Sequence, residues 1–264
     1  MVLYSKNIQI LYMALLHAFG YKKIKLNPIS PTFFANIAKI LNIDIEYVDS
    51  KFDFSSSADI IHNFFETFIP KSDIVFQNFG ENIGEAKVFV KKYKNCIKAE
   101  FFDKEIFEKT KLFLNGGIKK AKLWNFDVIS LGIKDIAKPC DVENLDEQIK
   151  NSNEMVKYFN EKFQNSPYFD ILNIGNKTLK KSYPILLKPS LYCPKEDIYQ
   201  ELLNKKIDVK VRFKPLYKIT LFKSKSLPTC EELYKAVLIL PLKEDIDDDV
   251  LKIFEKYRYR GCIF

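Results

Sequence analysis

The chain has 264 residues, 47% of them hydrophobic, which allows one large domain or two small ones and excludes a globally disordered chain. Its net charge of +8 comes almost wholly from lysine, since Arg212, Arg258 and Arg260 are the three arginines. Nucleic-acid readers favour arginine for its planar fork, so a nucleic-acid partner is not expected.

Ser5 to Phe19 repeats apolar residues at helical spacing (Ile8, Leu11, Tyr12, Leu15, Leu16), and Gly20 supplies a stop, which predicts a helix. Lys23 to Leu26 reads as a strand. Pro31 to Leu41 reads as a helix with Ser30 as its N-cap and Pro31 at its first position. Ile43 to Val48 is a strand, Ala58 to Phe68 a helix, Asp73 to Phe76 a strand, Ile83 to Tyr93 a helix and Cys96 to Phe101 a strand. Strands alternating with helices imply a mostly parallel sheet with helical crossovers, an α/β arrangement. Lys104 to Leu114 is a helix stopped by Gly116 and Gly117. From Val142 to Phe163 a long amphipathic helix is expected. Strands at 182–187, 209–213 and 238–240 then alternate with helices at 196–204, 230–236 and 247–257. The change of pattern places a boundary near residue 120, giving an α/β unit over 1–120 and a smaller α+β unit over 121–264.

The five cysteines are widely spaced, form no CxxC, and lie far in sequence from His17 and His62. Neither a zinc site nor a disulfide framework is expected, and a reducing cytoplasm fits. The N-terminal stretch is interrupted by Lys6, Asn7, Gln9 and His17, so neither a signal peptide nor a membrane span is read there. The basic, aromatic end from Lys256 to Phe264 reads as a fraying helix end. No P-loop, GxGxxG or GxSxG occurs. The acidic run Glu244 to Asp249 lacks EF-hand spacing and reads as the N-terminal cap of the last helix.

Lys111 to Ile118, Glu161 to Phe169, Val209 to Tyr217 and Leu227 to Leu242, taken in that order, resemble segments of the DegT-type sugar aminotransferases, which depend on pyridoxal phosphate. Lys111-Leu-Phe-Leu-Asn-Gly-Gly-Ile118, with Leu123-Trp-Asn125 after it, resembles the family's "lr.hG" segment. Glu161 to Phe169 followed by Tyr183 to Leu187 resembles the entry to its small domain. Val209-Lys-Val-Arg-Phe-Lys-Pro-Leu-Tyr217 is similar to "v.vhykPiy". Leu227-Pro to Ala236 followed by Leu238 to Leu242 is similar to the closing helix and "lsLP" strand. In the first half, Asn27 to Asn36, Tyr47-Val-Asp49 and Phe79-Gly80 match more thinly. The resemblance implies an aspartate-aminotransferase-like large domain, here reduced, and a small C-terminal domain. It also implies that the chain begins near the loop that grips the cofactor phosphate.

Carried over residue by residue, the resemblance leaves a depleted site. A small hydroxyl residue at a helix N-terminus holds the cofactor phosphate in the family, and the matching turn is Ser5-Lys6-Asn7. At the corner where a ring stacks on the cofactor, this chain has Ser30 and Pro31, with Phe33 and Phe34 close by. Glu100 falls where an aspartate holds the pyridine nitrogen protonated. The segment with the Schiff-base lysine has no counterpart, because Glu100 is followed almost at once by the helix that begins at Lys104. The segment that reaches the phosphate of the neighbouring subunit corresponds to Gly132 to Ile136, without its asparagine and arginine.

The expectation is therefore a shortened, degenerate homologue that is not an active transaminase, with no cofactor. Asn7, Ser30 and Glu100 are its vestigial cofactor contacts. Such a protein would hold a nucleotide-sugar, or a protein of a surface-sugar pathway, in the inherited cleft. Arg212 and Lys214 would contact a phosphate or carboxylate. The alternative is a surviving enzyme that binds pyridoxal or pyridoxamine phosphate without the lysine. A homodimer follows from the resemblance.

Overall fold

The computed structural model describes residues 1–122, 125–140, 142–211 and 214–258. Its larger sheet has seven strands: β1 (Val2–Ser5), β2 (Lys23–Leu26), β3 (Asp44–Tyr47), β4 (Ile60–His62), β5 (Lys71–Gln77), β6 (Glu85–Tyr93) and β7 (Cys96–Phe101). They lie in the order β1-β7-β6-β5-β4-β2-β3. From β3 to β6 all neighbours are parallel, while β7 runs antiparallel to both β6 and β1.

Helices α1 (Ile8–Phe19), α2 (Thr32–Ile40) and α3 (Lys104–Leu114) share one core with this sheet. Leu11 and Leu15 of α1, Phe34 and Ile37 of α2, and Ile106 and Phe113 of α3 cluster with Ile74, Phe76, Val88 and Val90. Each such side chain contributes about 1.5–3 kcal/mol when fully buried. The caps explain the helix limits. Asn7 Oδ1 accepts from the N–H of Gln9 at 2.8 Å, Asp103 Oδ1 accepts from that of Glu105 at 2.9 Å, and Gly20 closes α1 at φ 67°.

Two expected helices are strands instead. The stretches 58–68 and 83–93 contain β4 and β6, and residues 63–70 and 78–84 return directly between β4, β5 and β6. Parallel neighbours ordinarily need a crossover of a dozen residues or more, usually helical. Glycines permit the short returns. Gly84 has φ 88°, and a Cβ there would stand 2.1 Å from the Pro70 carbonyl oxygen. β6 is apolar on both faces, with Val88 and Val90 in the main core and Phe89 in a second cluster with Ala58, Ile61 and Val75. A strand buried on both sides loses its alternation and reads like a buried helix.

The second half carries a hairpin, β8 (Ile118–Lys122) with β9 (Asn125–Val128), and an antiparallel sheet. That sheet comprises β10 (Phe169–Ile171), β11 (Ser182–Leu187), β12 (Lys210–Val211) and β13 (Val237–Pro241), in the order β10-β11-β13-β12. Tyr183, Ile185, Leu187, Leu238 and Leu240 pack with α4 (Leu145–Phe163), α5 (Lys195–Asn204) and α7 (Asp247–Tyr257). The alternate residues Leu186, Val237 and Ile239 pack with α6 (Pro228–Ala236) and with Ile29, Phe54 and Phe65 from loops of the large sheet. This period-2 division joins the two halves through a shared apolar seam.

The cysteine expectation needs correction. Cys96 and Cys140 form a disulfide, Cys193 is also disulfide-bonded, and Cys230 is the free thiol among the described residues. The 96–140 pair is separated by 44 residues, and only the fold brings its Cα atoms to 5.8 Å, so no spacing motif announced it. No described helix is long and apolar enough to cross a membrane.

Candidate functional site

In open α/β sheets ligands gather outside the carboxyl ends of the parallel strands, at the point where strand order reverses. The chain passes from β2 outward to β3 and then returns to β4 on the other side of β2, which puts that point between β2 and β4. A cavity there is lined by Asn27, Ser30, Phe54, Ser56, Ile61 and His62, with Ile29. Its open volume is about 10 Å³, no more than one water needs. Ser30 is thus brought to the switch point, but it is 1% exposed and sealed inside.

The other polar side chains along this edge are turned onto the backbone. Asn27 Oδ1 accepts from Ile29 N at 2.9 Å, and Asn63 Nδ2 donates to the Phe68 carbonyl at 3.2 Å. Gln77 Nε2 donates to the Glu81 carbonyl at 2.6 Å, and Asn78 Nδ2 to that of Phe64 at 3.0 Å. At the end of β3, Asp49 accepts from the N–H groups of Thr229 and Cys230 at 3.2 and 3.0 Å, capping α6. These amides hold the return loops in place. Amides neither take nor give protons near neutral pH, so the row offers hydrogen bonds rather than acid–base chemistry.

The Ser5–Asn7 turn lies at the N-terminus of α1, where free N–H groups and the helix dipole favour an anion. The chain supplies that anion itself. The segment after β9 folds back along β1, with Ser5 bridging Ile136 and Ala137 N donating to Tyr4 O at 2.9 Å. This places the buried Asp135 carboxylate in the turn, where Oδ2 accepts from Ser5 Oγ and from Asn7 N at 3.2 Å. Asn7's own side chain is committed to Gln9 and Ile10.

Glu100 lies on antiparallel β7, and its carboxylate is already paired. It accepts from Lys98 Nζ at 2.9 Å, Lys91 Nζ at 3.1 Å and Asn82 Nδ2 at 2.9 Å. Burial by itself would raise its pKa, but these donors outweigh burial and hold it down at about 2. Lys91 Nζ also donates to the Gly80 carbonyl at 2.7 Å. Beside this cluster lies a second ion pair, between Lys180 and Glu66, both almost fully buried. Glu66 further accepts from Lys177 N at 2.9 Å, Thr178 N at 3.1 Å and Thr178 Oγ1 at 3.0 Å. The segment from Gly175 to Lys180 is thereby fastened over Gly80, where a Cβ would stand 2.3 Å from the Lys177 carbonyl oxygen.

Asn7, Ser30 and Glu100 therefore occupy three separate settings, each with its polar groups committed or enclosed. Lys214 is exposed two residues before Leu216, whose N–H donates to the Pro28 carbonyl at 2.9 Å, so it stands on the rim beside β2. Arg212 lies outside the described residues, as do Leu123, Trp124 and the terminus from Tyr259. Sequence reasoning missed Asp135, Glu66 and Lys180. Asp135 had a signal, because it falls inside the segment matched to the family's phosphate-reaching loop. Glu66 and Lys180, 114 residues apart, had none.

This seven-stranded mixed sheet with its smaller antiparallel partner defines an α/β protein of aminotransferase-like build. Residues 102–257 match the DegT/DnrJ/EryC1/StrS aminotransferase family, and the chain belongs to it. It is 31% identical over 181 residues to the UDP-4-amino-4,6-dideoxy-N-acetyl-beta-L-altrosamine transaminase of Campylobacter jejuni subsp. jejuni serotype O:2, covering 61% of this chain and 48% of that one. To the Helicobacter pylori transaminase of the same name it is 27% identical over 177 residues, covering 59% and 47%. The chain thus spans about half the length of the curated relatives it matches. Helicobacter pylori PseC, an aminotransferase involved in the biosynthesis of pseudoaminic acid, superimposes with a TM-score of 0.82 at 17% identity. That superposition covers 98% of this chain and 87% of PseC, and it speaks for the fold alone.

Proposed function

We propose that this chain is a non-catalytic member of the family that holds a nucleotide-sugar on the carboxyl-end rim of its large sheet. One observation carries the reading: the Asp135 carboxylate is seated in the Ser5–Asn7 turn, where the family resemblance calls for a cofactor phosphate. A carboxylate there takes up the donors of the turn and repels a second anion. Support also comes from Glu100, which is fully engaged by Lys91, Lys98 and Asn82, and from the amide row along the strand ends. Together these residues do not fit pyridoxal phosphate. The ligand class follows from the relatives, whose names specify a UDP-linked amino sugar, and Lys214 and Arg212 are its proposed contacts for a phosphate or carboxylate. We extend the proposal to a homodimer in the cytoplasm, where the Cys96–Cys140 bond would be open to reduction.

The test uses the purified full chain incubated with pyridoxal phosphate. Its absorbance is recorded, borohydride is added, and its peptides are searched by mass spectrometry for a reduced lysine adduct. The expected result is no aldimine band and no adduct, together with saturable binding of a UDP-linked amino sugar in calorimetry. A single lysine trapped in stoichiometric yield overturns the reading in favour of a surviving enzyme.

A further inference from the structure

β6 turns into β7 through Lys94 and Asn95, because Tyr93 pairs directly with Cys96. Lys94 sits at φ 50°, in the left-handed region that a lysine adopts only when its surroundings require it. Its ammonium stands 5.2 Å from the centroid of the Tyr93 ring. Lys181, the residue immediately before β11, brings its own ammonium to 4.4 Å from the same centroid. The ring is fixed from a third direction, as the Tyr93 hydroxyl donates to Gln148 Oε1 on α4 at 3.0 Å. The disulfide from Cys96 to Cys140 anchors the hairpin immediately after the turn.

Burial, then the positive charges of Lys92 and Lys94, push the Lys181 amine below its ordinary range. Neighbouring lysines on this face all have carboxylates: Lys91 and Lys98 have Glu100, Lys177 has Glu81, and Lys180 has Glu66. Among the described residues, Lys94 and Lys181 have none. Like charges held together on constrained backbone, with no counter-charge, oppose folding and are relieved by an anion. The hairpin also lies at the carboxyl end of a parallel strand, the edge where this class of sheet binds ligands.

We propose that Lys94 and Lys181 form a subsite for a diphosphate group, with Tyr93 as the platform that holds both ammonium groups. The ligand's identity as a nucleotide-sugar rests on the function proposed above; the diphosphate site itself does not. The diphosphate of a nucleotide-sugar, esterified at both ends, carries two negative charges and so matches two ammonium groups, each of which offers short charge-assisted hydrogen bonds to phosphate oxygens.

Calorimetric titration of the full chain with inorganic pyrophosphate tests the site. Saturable binding is expected, weakened at least about tenfold in Lys94→Gln/Lys181→Gln, since charge-assisted contacts of this kind are each worth that much or more. The control Lys150→Gln/Lys157→Gln removes the same charge from exposed α4 positions that pair with Glu154 and Glu161, and is expected to change binding less than about twofold. Circular dichroism melts confirm that both variants are folded. Failure of pyrophosphate to saturate, or equal loss in both variants, overturns the site and leaves only diffuse attraction to a basic surface. If pyrophosphate binds and is lost as described, but a UDP-linked sugar binds no more tightly, the subsite stands and the nucleotide-sugar reading fails.

Discussion

Asp135 and Glu100 show how a carboxylate's partners decide its role. Asp135 sits at a helix N-terminus and takes up donors that an external anion would otherwise use. Glu100 sits between two ammonium groups on a sheet face and serves as their common counter-charge. Its pH behaviour follows. The folded pKa of about 2 is depressed from an ordinary value of 4.5, so its contribution to stability is complete above about 4.5 and is lost as pH falls towards 2. Glu100→Gln removes that contribution and leaves Lys91, nearly fully buried, without a counter-charge. Thermal melts between pH 7 and pH 2.5 are expected to show the variant less stable than the parent at neutral pH, with the gap narrowing on acidification. Parallel curves across the range would mean that Glu100 titrates as an ordinary exposed carboxylate.

The short returns after β4 and β5 depart from the helical crossover that parallel neighbours ordinarily need. Where a helical crossover would cover the second face, residues 63–70 and 78–84 leave room for the segment from Gly175 to Lys180 to lie on it. Gly80 is the contact point, with φ 139° and the Lys177 carbonyl where a Cβ would project. Gly80→Ala is expected to cost roughly 2–4 kcal/mol in urea denaturation, from backbone strain and overpacking together. A loss below about 0.5 kcal/mol, the level of an indifferent surface change, would show that the overlying segment yields freely. The same elements mark the limit of what the sequence discloses. α1 and α3 announce themselves through caps and spacing, and the C-terminal segments through ordered family motifs, since both signals are local. β4 and β6 do not, because burial on both faces erases the alternation that separates strand from helix. From the sequence, the candidate site is read as a set of losses. Ser30 does reach the strand switch point, but the closure of its cavity and the pairing of Glu100 with Lys91 and Lys98 depend on which strands are neighbours.

At the scale of the whole molecule, two cores must hold together: the large sheet with α1 to α3, and the antiparallel sheet with α4, α5 and α7. We propose that the division between them falls near residue 120, bridged by two kinds of contact. An apolar seam joins Ile29, Phe54 and Phe65 to Leu186, Tyr217 and Val237. The Lys180–Glu66 pair joins the same two parts through two almost fully buried charged side chains. Removing one partner of such a pair costs about 3–5 kcal/mol, because the other charge stays buried, whereas replacing both is often nearly neutral. Lys180→Met is therefore expected to lower urea stability by about that amount, and Lys180→Met/Glu66→Gln to recover most of it. The glutamine can still accept from the N–H groups of Lys177 and Thr178, so the backbone attachment survives without the charges. A double variant as unstable as the single one would place the attachment in the ion pair itself. A single variant that unfolds in two steps would show that the pair, more than the seam, makes the halves unfold together.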